Sequence, residues 1–199
     1  TTDGTEPTST STLYEKELII EKDTDIKAAT FSQNKQMGEL LVLPIHWNKA
    51  TSKPFIHADA GMDILVNGLR GSLKYTDFEW YTGQLSKPIS FTIDLQKPES
   101  MKKFTVGCIT NYGMGVHKPR SLKVEVSNDN VTFTEIGKLT FTDKEIFKEG
   151  NFIENLSIET DETTGQFVKC TLESAGNCPD DHVRPEQPSK IYIDEVIIE

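Results

Sequence analysis

Apolar and polar residues alternate along several short segments of the chain, which is the pattern of β-strands with one buried face. In residues 121–127, SLKVEVS, three apolar side chains alternate with Lys123 and Glu125. Residues 127–130, Ser-Asn-Asp-Asn, favour a turn because Asn and Asp tolerate left-handed backbone angles, and apolar residues resume from Val131. We predict a hairpin within an antiparallel sheet, since its charged positions indicate that one face of the sheet meets water.

The same alternation occurs elsewhere and predicts about eight strands in all. The clearest further segments are residues 91–95, 102–109, 166–172 and 191–198. In the last of these, Val196 breaks the alternation, which permits a β-bulge at Asp194 and Glu195. Turn residues separate the segments and no long amphipathic helix occurs, so we predict an all-β fold, an eight-stranded β-sandwich. Its length of about 155 residues suits a jelly roll better than the smaller immunoglobulin sandwich.

The first part of the chain differs from the rest. Residues 1–14 are mostly Thr, Ser, Pro, Asp and Gly, which favour loops. Strand-like residues follow at 18–20 and 26–31, separated by the polar sequence EKDTD. Two short strands cannot form a stable sandwich alone. We therefore predict two regions, a small N-terminal module with a linker in residues 1–38 and the sandwich in residues 39–199.

The charge and the cysteine content exclude several classes of function. A formal net charge of -10 argues against nucleic-acid binding, because little positive charge would face the phosphates. No apolar run reaches the roughly 18 residues of a membrane span. The three cysteines form no disulfide framework. Cys170 and Cys178 could form a disulfide, which would leave Cys108 as a free thiol. The chain begins at Thr1 without an initiator Met, and we expect it to be a piece of a longer protein.

The chain contains two pairs of neighbouring carboxylates, Asp180-Asp181 and Asp194-Glu195. Glycosidases use two carboxylates about 5 to 10 Å apart, but neighbouring residues of a strand face opposite sides of the sheet. The cysteine spacing matches no zinc motif, and the histidines occur singly. They are His46, His57, His117 and His182. We therefore predict neither an active site nor a zinc site, and expect that the chain is not an enzyme by itself.

Six segments resemble, in order, the discoidin family of coagulation-factor type C domains, which includes carbohydrate-binding module family 32. They are LVNGLRGS, FEWYTG, ISFTIDL, HKPRSLKVEVSNDNVTF, FVKC and IYIDEVIIE. The resemblance covers roughly residues 43–199, and AGNCPDDHVRP is similar to a loop in discoidin-like modules of bacterial exo-β-hexosaminidases. It implies a galactose-binding-domain-like jelly roll that binds carbohydrate without catalysis.

A second resemblance concerns the N-terminal region. TTDGTEPTS, Tyr14 and IKAATF look like the second half of the immunoglobulin-like module near the C-terminus of chitobiase-type β-hexosaminidases. Together the resemblances imply an accessory domain of a secreted, periplasmic or cell-surface exo-β-N-acetylhexosaminidase, preceded by a remnant of that module. The expected partners are a glycan that ends in a hexose or N-acetylhexosamine and the catalytic domain of the parent enzyme. The alternative is a structural spacer that binds no sugar.

Carbohydrate recognition needs an aromatic face for the sugar ring and fixed polar groups for its hydroxyls. Loops 111–117 and 173–190 precede strands that should be central in one sheet, so we expect them to emerge at the same end of the sandwich. Trp80 is expected in the core, and Tyr81 beside it should then face outward. The predicted ligand-binding residues are Tyr81, Tyr112, His117, Asn177, Asp180, His182 and Arg184.

The discoidin resemblance also implies a structural cation at loop 67–72. Calcium binds six to eight oxygens, which include backbone carbonyls and carboxylates. The predicted ligands are Asn67, the Arg70 carbonyl and Ser72, with Glu195 from the last strand. Because the family often has Asp-Gly where this chain has Asn67-Gly68, we expect weak calcium binding.

Overall fold

β-Strands account for almost all of the regular secondary structure in the chain. The computed structural model describes all 199 residues, Thr1–Glu199, and the only α-helix is the single turn Asp143–Ile146. The residues divide into two units, Thr1–Asn48 and Lys49–Glu199. None of the helices combines the length and the hydrophobicity that a membrane-spanning helix needs. The predicted all-β class is confirmed.

The first unit is built on one hairpin. β1 (Thr24–Ser32) pairs antiparallel with β2 (Lys35–Ile45). The two residues between them, Gln33 and Asn34, both have positive φ, which is the backbone of the two-residue turns that match the twist of paired strands. The strand predicted at residues 26–31 is therefore present, as part of β1.

Two details of the first unit differ from the prediction. The predicted boundary at residue 38 falls within β2, because this strand continues to Ile45, and the two units divide at Asn48. Leu18 and Ile19 lie outside any strand and are exposed. They have no strand to pair with, since β1 and β2 pair only with each other.

The second unit contains seven strands. They are β3 (Phe55–His57), β4 (Tyr81–Thr82), β5 (Ile89–Asn111), β6 (Ser121–Ser127), β7 (Thr134–Thr140), β8 (Asn151–Glu173) and β9 (Tyr192–Ile198). β5 and β8 are each 23 residues long and pair antiparallel along their length. Their register shifts between Asp94 and Glu99, where both strands pass from one sheet to the other.

Because β5 and β8 take part in both sheets, seven strands are enough to form a sandwich. One sheet has the order β3, first half of β5, second half of β8, β6, β7. The other has the order β4, β9, second half of β5, first half of β8. The predicted jelly-roll sandwich is confirmed. The strand count is smaller than eight because segments 91–95 and 102–109 are one continuous strand, and residue 152 and segment 166–172 likewise belong to one strand.

The hydrophobic core lies between the two sheets. β5 contributes Phe91, Ile93 and Leu95 from one sheet and Phe104 and Val106 from the other, and all five side chains are almost fully buried. Complete burial of an apolar side chain of this size contributes roughly 1.5–3 kcal/mol. The two halves of the same strand therefore hold the two sheets together.

All three cysteines are buried and free. Cys108 and Cys170 belong to the core cluster between the sheets, where they act as small apolar residues. Cys170 and Cys178 could have formed a disulfide according to the sequence, but they do not. Cys170 is buried in the core, whereas Cys178 lies in loop 173–190.

The predicted hairpin is formed by β6 and β7. Asp129 Oδ1 holds its turn, because it accepts hydrogen bonds from the amides of Thr132 (2.8 Å) and Val131 (2.9 Å) and from Ser127 Oγ (2.8 Å). These hydrogen bonds lower the pKa of Asp129 to about 2, and the bond from the Thr132 amide has the largest effect. The turn is longer than predicted, so the return strand begins at Thr134 and Val131 is exposed.

β9 contains the bulge that its sequence predicts. Val106 of β5 pairs with Val196, and Cys108 pairs with Ile193, so β9 uses one more residue than β5 over the same distance. The register of β9 is therefore interrupted at residues 194–195.

The hairpin of the first unit should exchange its backbone amides faster than the sandwich. A two-stranded hairpin is marginally stable by itself, and no side chain of β1 or β2 is fully buried. In native-state hydrogen exchange, we expect the amides of residues 26–31 to be much less protected than those of Val124 and Val126. Equal protection would show that residues 1–38 do not form part of an incomplete module.

Replacing Asp129 by Ala should destabilise the β6–β7 hairpin, since the turn amides lose their acceptor. The pKa of Asp129 is about 2 in the folded protein and 3.8 ordinarily, so this stabilisation is complete above about pH 4 and is lost as the pH falls towards 2. The melting temperature of Asp129→Ala should be lower than that of the wild type at neutral pH, and the difference should shrink in acid. Asn128→Ala, at the exposed neighbour, is the control. A difference that persists unchanged in acid would contradict this role of the carboxylate.

Candidate functional site

Two loops meet at one end of the sandwich, as the sequence predicts. Loop 111–117 follows β5, and loop 173–190 leads to β9. Backbone hydrogen bonds join them, because His117 N donates to the Lys190 carbonyl (2.9 Å) and Lys190 N donates to the Gly115 carbonyl (2.9 Å). We call the surface formed by these two loops the rim.

Three of the predicted site residues pack ring against ring at the rim. The ring centroids of Tyr112 and His182 lie 4.0 Å apart, and those of His117 and His182 lie 5.0 Å apart. Cys178 joins them, with its Sγ 3.8 Å from His117 Nε2, and Phe147 packs edge-on against the His117 ring at 5.0 Å. We call His117, Cys178 and His182 the imidazole cluster.

The imidazole cluster is inside the protein. His117 is 0% exposed, Cys178 3% and His182 4%. Burial, followed by the neighbouring His182, lowers the pKa of His117 to about 4, and burial raises the pKa of the Cys178 thiol. At neutral pH, Cys178 and His117 are therefore a neutral thiol and a neutral imidazole, in contrast to the thiolate of a cysteine nucleophile.

Arg184 connects the two loops of the rim. Its Nε donates to the Gly113 carbonyl at 3.0 Å, and its Nη2 lies 3.6 Å from Met114 Sδ. The amide of Arg184 donates to His182 Nδ1 at 2.9 Å. Gly115 has positive φ, and a Cβ added there would lie in ordinary contact with Arg184 Cδ, so the backbone conformation rather than lack of space favours glycine. Arg184 therefore fixes the arrangement of the rim.

Four predicted residues have surface that a ligand could contact: Asn177, Asp180, Tyr112 and Arg184. The two histidines do not, because their rings are buried against each other and against Tyr112. The structure thus corrects the prediction for His117 and His182. They support the Tyr112 ring rather than present their nitrogens at the surface.

Tyr81 is not at the rim. It is 7% exposed and belongs to the core between the sheets, whereas Trp80 belongs to a second cluster with Ile109 and Val116. Tyr81 and Trp80 face opposite sides of the sheet, as expected for neighbours on extended backbone. Both sides are covered by other residues, so neither side chain is exposed. Trp80 packs over Gly71, where a Cβ would overlap its indole ring. The expectation that Tyr81 faces outward is therefore wrong.

Sequence reasoning missed Cys178 as a member of the site. It interpreted the cysteine only as a possible disulfide partner. The available signal was the spacing of Cys178 and His182, four residues apart in the turn CPDDH. The third member, His117, is 61 residues away in the sequence, and only the pairing of the two loops brings it near.

The loop predicted to bind calcium closes on β9. Gly68 N donates to Glu195 Oε2 at 2.9 Å, and Gly71 N donates to Asp194 Oδ2 at 3.0 Å. Both carboxylates are fully buried, and the bulge in β9 brings both of them to this loop. Arg70 Nε forms an ion pair with Asp194 Oδ2 at 2.8 Å. The positive charge beside these carboxylates is therefore a guanidinium.

Three of the four residues predicted as calcium ligands, Asn67, Ser72 and Glu195, already accept hydrogen bonds. Asn67 Oδ1 accepts from Leu69 N at 2.8 Å, and the Ser72 carbonyl accepts from the Trp80 indole at 2.9 Å. The structure does bring Asn67 and Glu195 to the same loop, which suits an oxygen ligand set. A cation would have to replace these donors and lie near Arg70. Calcium at this loop stays a prediction.

Comparison with known proteins gives one family match, in the N-terminal part of the chain. The family described as Fn3 associated matches residues 1–43, close to the extent of the first unit. No curated protein matches the sequence. The predicted immunoglobulin-like module is not confirmed by the family match and stays a prediction.

Several solved structures are similar to the chain at low sequence identity. Chitosan-binding module 1 of a chitosanase/glucanase from Paenibacillus sp. IK-5 is 14% identical, with a TM-score of 0.48, over 77% of this chain and 99% of that chain. The C-terminal domain of a chitobiase from Bacteroides fragilis is 15% identical, with a TM-score of 0.46, over 76% of this chain and 95% of that chain. CpGH89CBM32-6 of Clostridium perfringens is 16% identical, with a TM-score of 0.46, over 75% of this chain and 93% of that chain. These similarities are too distant to assign a ligand.

Replacing Arg70 by Ala should destabilise the sandwich and increase its response to calcium. The substitution leaves Asp194 buried without its cation, at a cost of about 3 kcal/mol. We expect millimolar calcium to raise the melting temperature of the wild type slightly and that of Arg70→Ala more, because the ion can replace the lost positive charge. Arg120→Ala, which breaks the ion pair with Asp143, is the matched control. If the wild type and Arg70→Ala each melt identically in calcium and in chelator, calcium does not bind at this loop.

Proposed function

We propose that the unit Lys49–Glu199 is a non-catalytic carbohydrate-binding domain and that its rim binds a terminal hexose or N-acetylhexosamine. The observation that supports this proposal is that backbone hydrogen bonds join the loop of Tyr112 to the loop of Arg184. Asn177 and Asp180 lie on the second of these loops and are exposed. The rim combines an aromatic ring and several polar groups at the end of a rigid sandwich, the composition that sugar recognition needs.

Tyr112 is the best candidate for contact with the apolar face of a sugar ring. Its side chain keeps some exposed surface, and His182 and His117 support the ring from the protein side at 4.0 Å and 5.8 Å. A ring that is already fixed loses little conformational freedom when a ligand binds. Tyr112 can therefore serve as a preformed platform.

Polar groups of loop 173–190 can bind the hydroxyls of a sugar. Arg184 supplies a planar set of donors, Asp180 supplies acceptors, and Asn177 supplies both. Arg184 is held by the Gly113 carbonyl, so its remaining donors have a defined direction. Such fixed donors and acceptors discriminate between sugars, because a donor or acceptor that is buried by the ligand without forming a hydrogen bond reduces the affinity.

The context of the domain rests on the sequence resemblance. The six discoidin-like segments and the chitobiase-like N-terminal segments support an accessory domain of a secreted, periplasmic or cell-surface exo-β-N-acetylhexosaminidase. Its second partner would be the catalytic domain of that enzyme. In the alternative, the domain is a spacer that packs on the catalytic domain and leaves the rim without a ligand.

Truncating Tyr112 should abolish sugar binding and leave the fold intact. We expect N-acetylglucosamine, galactose or N-acetylgalactosamine to shift the amide NMR signals of loops 111–117 and 173–190, with a dissociation constant of roughly 0.1–1 mM for so shallow a site. Tyr112→Ala and Arg184→Ala should lose these shifts. Tyr14→Ala, at an exposed tyrosine of the first unit, is the matched control and should titrate as the wild type does.

The same titration distinguishes the alternative. If the rim amides respond to none of the sugars, or no more than the hairpin turn at residues 128–130, the rim is not a sugar site and the spacer interpretation is correct. If Tyr112→Ala binds as tightly as the wild type, the sugar binds elsewhere on the domain.

A further inference from the structure

The imidazole cluster has the geometry of a metal site. One ligand-type atom from each of His117, Cys178 and His182 lies within 4.8 Å of the other two, and Cys178 Sγ is 3.8 Å from His117 Nε2. In tetrahedral zinc sites, with Zn–S about 2.3 Å and Zn–N about 2.0 Å, neighbouring sulfur and nitrogen ligands are roughly 3.5 Å apart. We propose that these three side chains bind Zn²⁺, independently of the proposed carbohydrate binding.

A second observation points to a ligand at this position. His182 Nε2 is buried and has no hydrogen-bond partner. Buried polar atoms are nearly always paired, because an unpaired one loses its interaction with water and gains nothing in return. A zinc ion bound to His182 Nε2 gives that nitrogen the partner it lacks. When His117 coordinates through Nε2, its other ring nitrogen, Nδ1, keeps the proton.

The hydrogen bonds around the cluster define what changes when zinc binds. His182 Nδ1 accepts the Arg184 amide at 2.9 Å, so the neutral ring carries its proton on Nε2. Coordination through Nε2 moves that proton to Nδ1, which breaks the hydrogen bond from the Arg184 amide. The Cys178 thiol gives its proton to solvent and coordinates as the thiolate. One proton is therefore released for each zinc bound, and water fills the fourth position.

The loops hold the three side chains near their places before the ion arrives. Cys178 N donates to the Gln187 carbonyl at 2.9 Å, and His182 N donates to the Pro179 carbonyl at 3.0 Å. The donor set of two imidazoles and one thiolate favours zinc over calcium or magnesium, which prefer oxygen. Zinc would tie loop 173–190 to loop 111–117 directly beside Tyr112.

Cobalt is the direct probe of this site. The full 199-residue chain, reduced and freed of metal with a chelator, is titrated with Co²⁺ and then with Zn²⁺. We expect one equivalent of Co²⁺ to give the visible absorption of a tetrahedral site together with a thiolate-to-cobalt charge-transfer band. Zn²⁺ should abolish both and raise the melting temperature. In the wild type, the ring ¹⁵N signals of His117 and His182 should shift on zinc binding.

Variants identify the ligands. Cys178→Ser should lose the charge-transfer band, and His182→Gln should bind zinc at least about tenfold more weakly. Cys170→Ala, at another buried free cysteine, is the control. It should keep the charge-transfer band and the zinc affinity of the wild type. The ring ¹⁵N shifts need only the wild-type chain, so they test the site even if a variant does not fold.

Three results would overturn the proposal. They are a wild type without the charge-transfer band, zinc binding that leaves the two ring signals unshifted, and a Cys178→Ser protein that keeps the full cobalt spectrum. None of these results bears on sugar binding, which the titration of the rim measures separately in metal-free protein.

Discussion

The antiparallel pairing of β5 with β8 is the interaction on which the rest of the second unit depends. It runs from Ile89 opposite Leu172 to Asn111 opposite Asn151, and it continues through the point where both strands change sheets. Every other strand of the sandwich pairs with one of these two, or with a strand that does. The end of β5 also fixes where loop 111–117 begins, so the same ladder of hydrogen bonds positions the rim.

Much of this fold can be predicted from the sequence, because alternation reports which residues face the core. The hairpin at residues 121–140 and the bulge in β9 follow directly from their patterns. The continuity of β5 does not, because residues 96–100 at the bend are exposed or half-buried and read as a break between two strands. Tyr81 was misplaced for a related reason. Alternation shows that two neighbours face opposite sides, but it does not show that a loop covers the second side.

Some features of the candidate site could likewise be predicted from the sequence, and others could not. The meeting of the two loops could be predicted, since it follows from the order of strands. The burial of His117 and His182 could not, because it depends on how the loops close over them. Cys178 was missed because a search for ligands along the sequence examines short spacings, whereas His117 reaches the cluster only through the Val116–Lys190 bridge. Chemistry assembled by tertiary structure leaves little trace in local patterns.

Gly107 shows how closely distant positions constrain each other. A Cβ at this residue would overlap both the Asp194 carboxylate and the Arg70 guanidinium, so the ion pair that closes loop 67–72 requires a strand without a side chain at that position. The order in which changes accumulate then matters. A lineage that first acquires alanine at position 107 loses the ion pair while Asp194 is still buried, whereas one that first replaces Arg70 and Asp194 by apolar residues can accept the alanine afterwards. Positions 70, 107 and 194 should therefore evolve as a unit, although they lie on three different segments of the chain.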